Sequence, residues 1–166
     1  MNFAELSAQR YSLRKFSDRP VEDALLQQVL EAAQAAPTAV NYQPQRILVL
    51  RSREAQEKLQ GCMKFRFGQP LTLLICYDSR VSWKRGYDGK EFGETDAAIV
   101  TTHMMLQAQE LGLSTVWIGS FDPEKVREAF ALPEYLVPSA ILPLGYEAEA
   151  GGHGEKKRQQ LQVEYL

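Results

Sequence analysis

Apolar positions recur with helical spacing in two stretches and run continuously in others. Val21, Leu25, Val29 and Ala33 fall at i, i+4, i+8 and i+12, with Leu26 and Leu30 beside them, and predict an amphipathic helix. It stops before Pro37, because the residue preceding a proline avoids helical geometry. Ala97, Val100, Met104, Ala108 and Leu111 form a second stripe, widened by Ile99, Met105 and Leu106. Residues 94–111 therefore read as the longest helix and a central one, stopped by Gly112. Asn2, with Glu5 as its capping-box partner, predicts a first helix that ends near Arg10 and carries Phe3 and Leu6 inward. Asp122, with Pro123 in the first turn, caps another, and residues 53–60 read as a polar helix. Residues 71–77 are a continuous apolar run with the length of a buried strand. Residues 46–50 and 114–118 read as shorter strands. Residues 137–144 read as a strand too, and Pro138 and Pro143 suggest an edge position for it. Residues 11–16 read as extended, 38–45 as a polar loop and 79–93 as a long loop carrying Trp83, Tyr87 and Phe92. Strands interleave with helices after two opening helices, which gives an α+β fold with a mixed sheet packed against helices.

The chain has 166 residues, a length that predicts one domain, and no linker or repeat divides it. Residues 1–166 are read as a single domain. Hydrophobic residues make up 45% and charged residues 24%, the ordinary globular balance and against disorder. Lys and Arg total 19 against 21 Asp and Glu, so there is no basic surplus to hold a nucleic acid. The longest apolar runs fall far short of a membrane span, and residues 1–11 hold no apolar signal core. The expectation is a cytoplasmic protein that binds neither nucleic acid nor membrane. Cys62 and Cys76 form no CxxC pair, and His103 and His153 are far apart. Neither a metal site nor a Ser-His-Asp triad is supported.

Four short segments carry candidate chemistry. Arg10, Ser12 and Arg14 share one face of an extended segment, because residues two apart point the same way. Two guanidinium forks flanking a hydroxyl suit a phosphate; the same spacing also suits a solvated edge. Pro37, Thr38, Asn41, Gln43 and Pro44 make a stiffened loop rich in amide and hydroxyl groups. Such a loop reads the edge of a planar heterocycle, or simply turns the chain. Gly119 and Ser120 follow a strand end, where backbone N–H groups meet ligands or turn into the Asp122 cap. Lys156, Lys157 and Arg158 form a basic run in a tail, 151–166, too polar to fold on itself; it is disordered or docks elsewhere.

In this order the segments resemble the FMN-dependent nitroreductase family over nearly the whole chain. The resemblance rests on Arg10-x-Ser12-x-Arg14-x-Phe16, the Ala36-Pro37-Thr38 to Asn41-x-Gln43-Pro44 block and the Asp96-containing helix. It continues through Gly112-Leu113, Trp117-Ile118-Gly119, Gly145-Tyr146 and Lys156-x-Arg158. It implies a nitroreductase-like fold in an intertwined homodimer with two shared flavin sites. Arg10 and Ser12 then hold the FMN phosphate and ribityl end, with Lys156 and Arg158 returning to the phosphate. Arg14 lies nearer the ring, Gly119 and Ser120 lie beside flavin N5, and Pro37, Thr38 and Asn41 arrive from the partner subunit. The implied reaction takes hydride from NADH or NADPH through flavin N5 to a nitroaromatic, quinone or similar small acceptor. The scarcity of histidine and cysteine fits, because the cofactor carries the chemistry. A flavin-binding sensor, store or carrier uses the same residues. Three departures stand out. Gln45 replaces an aromatic residue that follows the Gln-Pro pair in many relatives. Arg66 and Gln69 are the only plausible substitutes for an asparagine and a lysine that touch the flavin in longer relatives. Residues 83–92 stand where larger relatives carry a helical cover, and read either as a small lid or as a mobile loop.

Overall fold

The computed structural model describes residues 2–149 and 156–166. Helix α1 (Phe3–Gln9) opens with the predicted capping box: the Glu5 N–H donates to Asn2 and the Asn2 N–H to Glu5. Leu6 is buried, but Phe3 is 71% exposed, contrary to its expected inward position. Phe3 is the first residue of a two-turn helix and stands at its open end, although it shares a face with Leu6. Helix α2 (Asp23–Ala35) buries Leu26, Val29 and Ala33, with Val21 tucked in just before it. A 3-10 turn (Ala39–Asn41) leads into strand β1 (Gln45–Leu50) and then helix α3 (Arg53–Gln60). Strand β2 (Leu71–Asp78), helix α4 (Gly93–Glu110), strand β3 (Ser114–Thr115), helix α5 (Pro123–Ala129) and strand β4 (Leu136–Gly145) complete the order.

The sheet order is β1-β2-β4-β3, and every pair of these strands is antiparallel. The expected mixed character survives in a single parallel bridge, Ser12 to Thr115, by which the 11–16 segment joins the β3 edge. Residues 114–118 pair as a two-residue strand plus an isolated bridge from Ile118 to Ile141. β4 is not at the edge: it lies between β2 and β3. Its prolines are tolerated for local reasons. β3 ends opposite Leu144, one residue short of Pro143, and Pro138 sits at the register shift beside Cys76.

Both faces of the sheet are covered. Leu71, Leu73 and Ile75 of β2 pack with α2 and α4, while Leu74 and Cys76 face Leu13, Phe16, Leu59 and Val126. This double burial explains the continuous apolar run of β2. α4 closes tightly on the sheet at Gly93, where an added Cβ would lie 2.1 Å from the Tyr77 ring. Cys62 and Cys76 are free and buried, and burial pushes the Cys76 thiol up to about 12. No helix among the described residues is long and apolar enough to cross a membrane. His153 lies outside them, as do residues 151–155 of the tail; His103 bonds through Nδ1 to the Ile99 carbonyl 3.0 Å away.

Candidate functional site

The extended segment after α1 is fixed by two backbone bonds: Leu13 N–H donates to Thr115 O (3.0 Å) and Phe16 N–H to Phe67 O (2.8 Å). Leu13 and Phe16 go into the core, so Ser12 and Arg14 face outward, with Arg14 Nη1 donating to the Ser12 carbonyl at 3.2 Å. Arg10 caps α1 and is half-buried, with Nη1 buried and without a hydrogen-bond partner. The tail returns to it: Lys156 Nζ donates to the carbonyl of Ala8, two residues before Arg10. Burial and then the Arg158 charge lower the Arg10 guanidinium below its ordinary value. Burial and then Arg10 and Arg158 lower Lys156. Arg10, Lys156 and Arg158 thus meet as a cationic cluster, and among the described residues no carboxylate pairs with any of them. Like charges brought together and partly desolvated are unfavourable alone. Such a cluster fits an anion with several acceptor oxygens.

Gly119 and Ser120 lie just beyond the Ile118–Ile141 bridge and are exposed. No backbone acceptor among the described residues takes either N–H. Nothing lies within 4 Å of a Cβ built on Gly119, so the chain itself does not require a glycine here; the space is open to a ligand. A cleft of about 500 Å³ opens beside Ser120, lined by Cys62, Met63, Lys64, Phe121, Asp122 and Lys125.

Pro37, Thr38 and Asn41 sit elsewhere. Thr38 Oγ1 accepts from Gln43 N–H (3.1 Å) and Ala39 N–H donates to Asp96 Oδ1 (2.8 Å). Val40, Asn41 and Gln43 all have left-handed backbone, φ 53°, 55° and 51°, which is strained for β-branched Val40. This loop is anchored at the far end of the sheet: Asp78 N–H donates to Pro44 O, whereas Ser12 bridges to Thr115, level with Leu71 through Leu144. Leu71 and Asp78 are the two ends of β2, roughly 20 Å apart along the strand. One chain therefore gathers Arg10, Lys156 and Arg158, keeps Ser12 and Arg14 on the adjoining segment, and leaves Pro37, Thr38 and Asn41 at the opposite end.

The Gln69 amide nitrogen is occupied internally, donating to Gln56 Oε1 (3.3 Å) and Thr72 Oγ1 (3.2 Å). Arg66 is exposed next to Phe67, the residue that receives the Phe16 N–H. Residues 83–92 form a closed hairpin: Phe92 N–H donates to Trp83 O, Arg85 N–H to Lys90 O, and Trp83 meets Phe92 edge-on at 4.9 Å. Tyr87 at its tip is 99% exposed. Asp96, which accepts the Ala39 N–H, is marked in the sequence only through the helix that carries the family resemblance.

A helix-covered α+β sheet thus carries a cationic cluster at Arg10, Lys156 and Arg158 and exposed backbone at Gly119 and Ser120. The chain belongs to the nitroreductase family, whose model matches residues 8–64 and 62–146. Among solved structures it is similar to a nitroreductase family protein of Clostridium difficile 630, at 45% identity and TM-score 0.89 over 92% of this chain and 88% of that one. It is also similar to an FMN-dependent nitroreductase of Clostridium difficile R20291, at 26% identity and TM-score 0.76 over 95% and 92%. Among curated proteins it is 29% identical to an NAD(P)H FMN reductase of Bacillus subtilis strain 168, over 83% of this chain and 63% of that protein.

Proposed function

We propose that residues 1–166 form one FMN-binding domain and that the protein is an FMN-dependent oxidoreductase. It oxidises NADH or NADPH and reduces a nitroaromatic, a quinone or a similar small acceptor. The observation that carries this reading is the meeting of Arg10 with Lys156 and Arg158, from opposite ends of the chain, with a buried guanidinium nitrogen unpartnered. It fits the terminal phosphate of FMN, and both family membership and the FMN dependence named for one relative support it. When bound, FMN supplies the redox chemistry at N5, in two half-reactions that share one site. Arg10, Lys156 and Arg158 neutralise the phosphate and Ser12 holds the ribityl end. Arg14 puts positive charge near the ring, where reduction builds negative charge. The Gly119 and Ser120 N–H groups, exposed and without a backbone acceptor among the described residues, would bond the flavin ring edge. Pro37, Thr38 and Asn41 come from a second copy of the chain, in keeping with their anchoring in their own copy at the end of β2 opposite the Ser12 segment. No side chain acts as nucleophile or acid. The cytoplasm, which holds the nicotinamide pool, is the compartment this reading implies.

Purified protein should be yellow, carry about one FMN per chain, and oxidise NADH or NADPH in the presence of menadione. A colourless protein that takes up no added FMN overturns the reading. Bound flavin that neither nicotinamide reduces makes the protein a flavin sensor, store or carrier.

A further inference from the structure

Asp96 is the least explained charged group of the fold. It lies in the first turn of α4, is 1% exposed, and carries one oxygen, Oδ2, that is buried without a partner. Its other oxygen accepts the Ala39 N–H at 2.8 Å, the one bond by which α4 grips the 38–43 loop. That loop needs gripping. Three of its residues hold left-handed backbone without being glycine, and most of its bonds are internal: Gln43 N–H to Thr38, the Gln43 amide to Asn41 Oδ1, and Asn41 N–H to the Thr38 carbonyl. Arg46 Nη1, donating to the Gln43 carbonyl, and Asp78 N–H, donating to the Pro44 carbonyl, hold only the end of the loop that enters β1. Internal bonds shape a loop but do not fix its place on the molecule. A buried carboxylate on a long, well-packed helix does fix it. An ionised acceptor also makes a stronger bond to a backbone N–H than a neutral one.

We infer that Asp96 is the positioning residue of the flavin-facing loop: it holds Thr38 and Asn41 in their ligand-competent placement and touches no ligand itself. This inference rests on the reading that the 37–41 loop meets FMN. When Asp96 is replaced by Ala, the loop samples other placements, and apparent affinity falls in proportion to the competent fraction.

The test uses full-length protein and free FMN as the probe, with Asp96→Ala, Asp96→Asn and wild type compared by flavin fluorescence and by amide exchange at Ala39. Asp96→Ala is expected to bind FMN about tenfold more weakly, the scale of one charge-assisted bond, and to exchange Ala39 at the rate of an open loop. Asp96→Asn keeps a neutral acceptor and should restore most of both. If Asp96→Ala does not fold, Asp96→Ser, whose hydroxyl is too short to reach Ala39, takes its place with the same expectations. Wild-type affinity and Ala39 protection in whichever variant folds overturn the inference, as does equal loss in the Asn variant. Wild-type protein that binds no FMN overturns the functional reading alone, since the exchange at Ala39 still decides whether Asp96 holds the loop.

Discussion

Arg10, Lys156 and Arg158 oppose one another until an anion lies between them, so their effects on binding and on stability should have opposite signs. The double variant Arg10→Ala with Arg158→Ala should retain FMN on the order of 100-fold less tightly, two charge-assisted bonds being lost. In the flavin-free protein the same variant should not lower the thermal midpoint. A lower midpoint with unchanged FMN affinity, measured by scanning calorimetry and fluorescence titration, makes the cluster structural. The short Arg10-x-Ser12-x-Arg14 pattern was legible because an extended segment alternates locally. Its meeting with Lys156 was not legible from spacing, because nothing in a polar tail says where it docks; only the family resemblance supplied it. Asp78 shows the other limit. It is buried, and Arg80, bonding it at 2.7 and 3.0 Å while stacked on Tyr135, holds its carboxyl down to about 2, from an ordinary 3.8. The unfolded chain takes up that proton near 3.8, the folded chain only near 2. The stabilisation is therefore complete above the higher value and is lost as pH falls through the lower one. Urea unfolding between pH 5 and 2, in wild type and Asp78→Asn, should show a shallower acid decline in the variant; equal slopes refute the pairing.

At the scale of elements, the strongest constraint is where α4 enters the sheet. A Cβ on residue 93 would lie 2.1 Å from one Tyr77 ring atom and 2.7 Å from the ring's root, so the ring cannot simply swing aside. Gly93→Ala should destabilise the fold by about 1–3 kcal/mol through overpacking, read as a shift of the urea midpoint. Tyr77→Leu in the same chain should recover part of the loss; no shift from Gly93→Ala alone rejects the close approach. The sequence showed this helix clearly, since eighteen residues of apolar stripe leave little choice. It did not show Gly93 as special, because a close approach depends on a residue sixteen positions away. The β4 prolines misled in a definable way. Proline reports that its own nitrogen is unbonded, not that a strand lacks a neighbour, and a short β3 with a register shift meets that condition inside the sheet. The sequence of residues 83–92 reads as a loop because its closure comes from bonds across the hairpin, Phe92 to Trp83 and Arg85 to Lys90, which no local pattern encodes.

The whole molecule poses a geometric problem that one chain does not solve. The cationic cluster belongs to the Ser12–Thr115 end of the sheet, and the Thr38–Asn41 loop belongs to the Asp78 end. Under the proposed function, a site using both sets takes them from two copies. Large apolar side chains stand ready for such a contact: Phe3, Val40, Tyr42, Leu161 and Tyr165 are all exposed. Mixed dimers separate a shared site from two private ones. One chain carries Arg10→Ala with Arg158→Ala, the other carries Thr38→Ala with Asn41→Ala, and a different affinity tag on each isolates the heterodimer. With shared sites, both lesions fall together in one site and leave the other intact. The heterodimer should then bind about one FMN at wild-type affinity, although each parent homodimer binds poorly. With private sites every site holds one lesion, and no high-affinity FMN appears. The outcome depends on where the residues stand rather than on how strongly each contributes, so it tests the architecture and not the energetics.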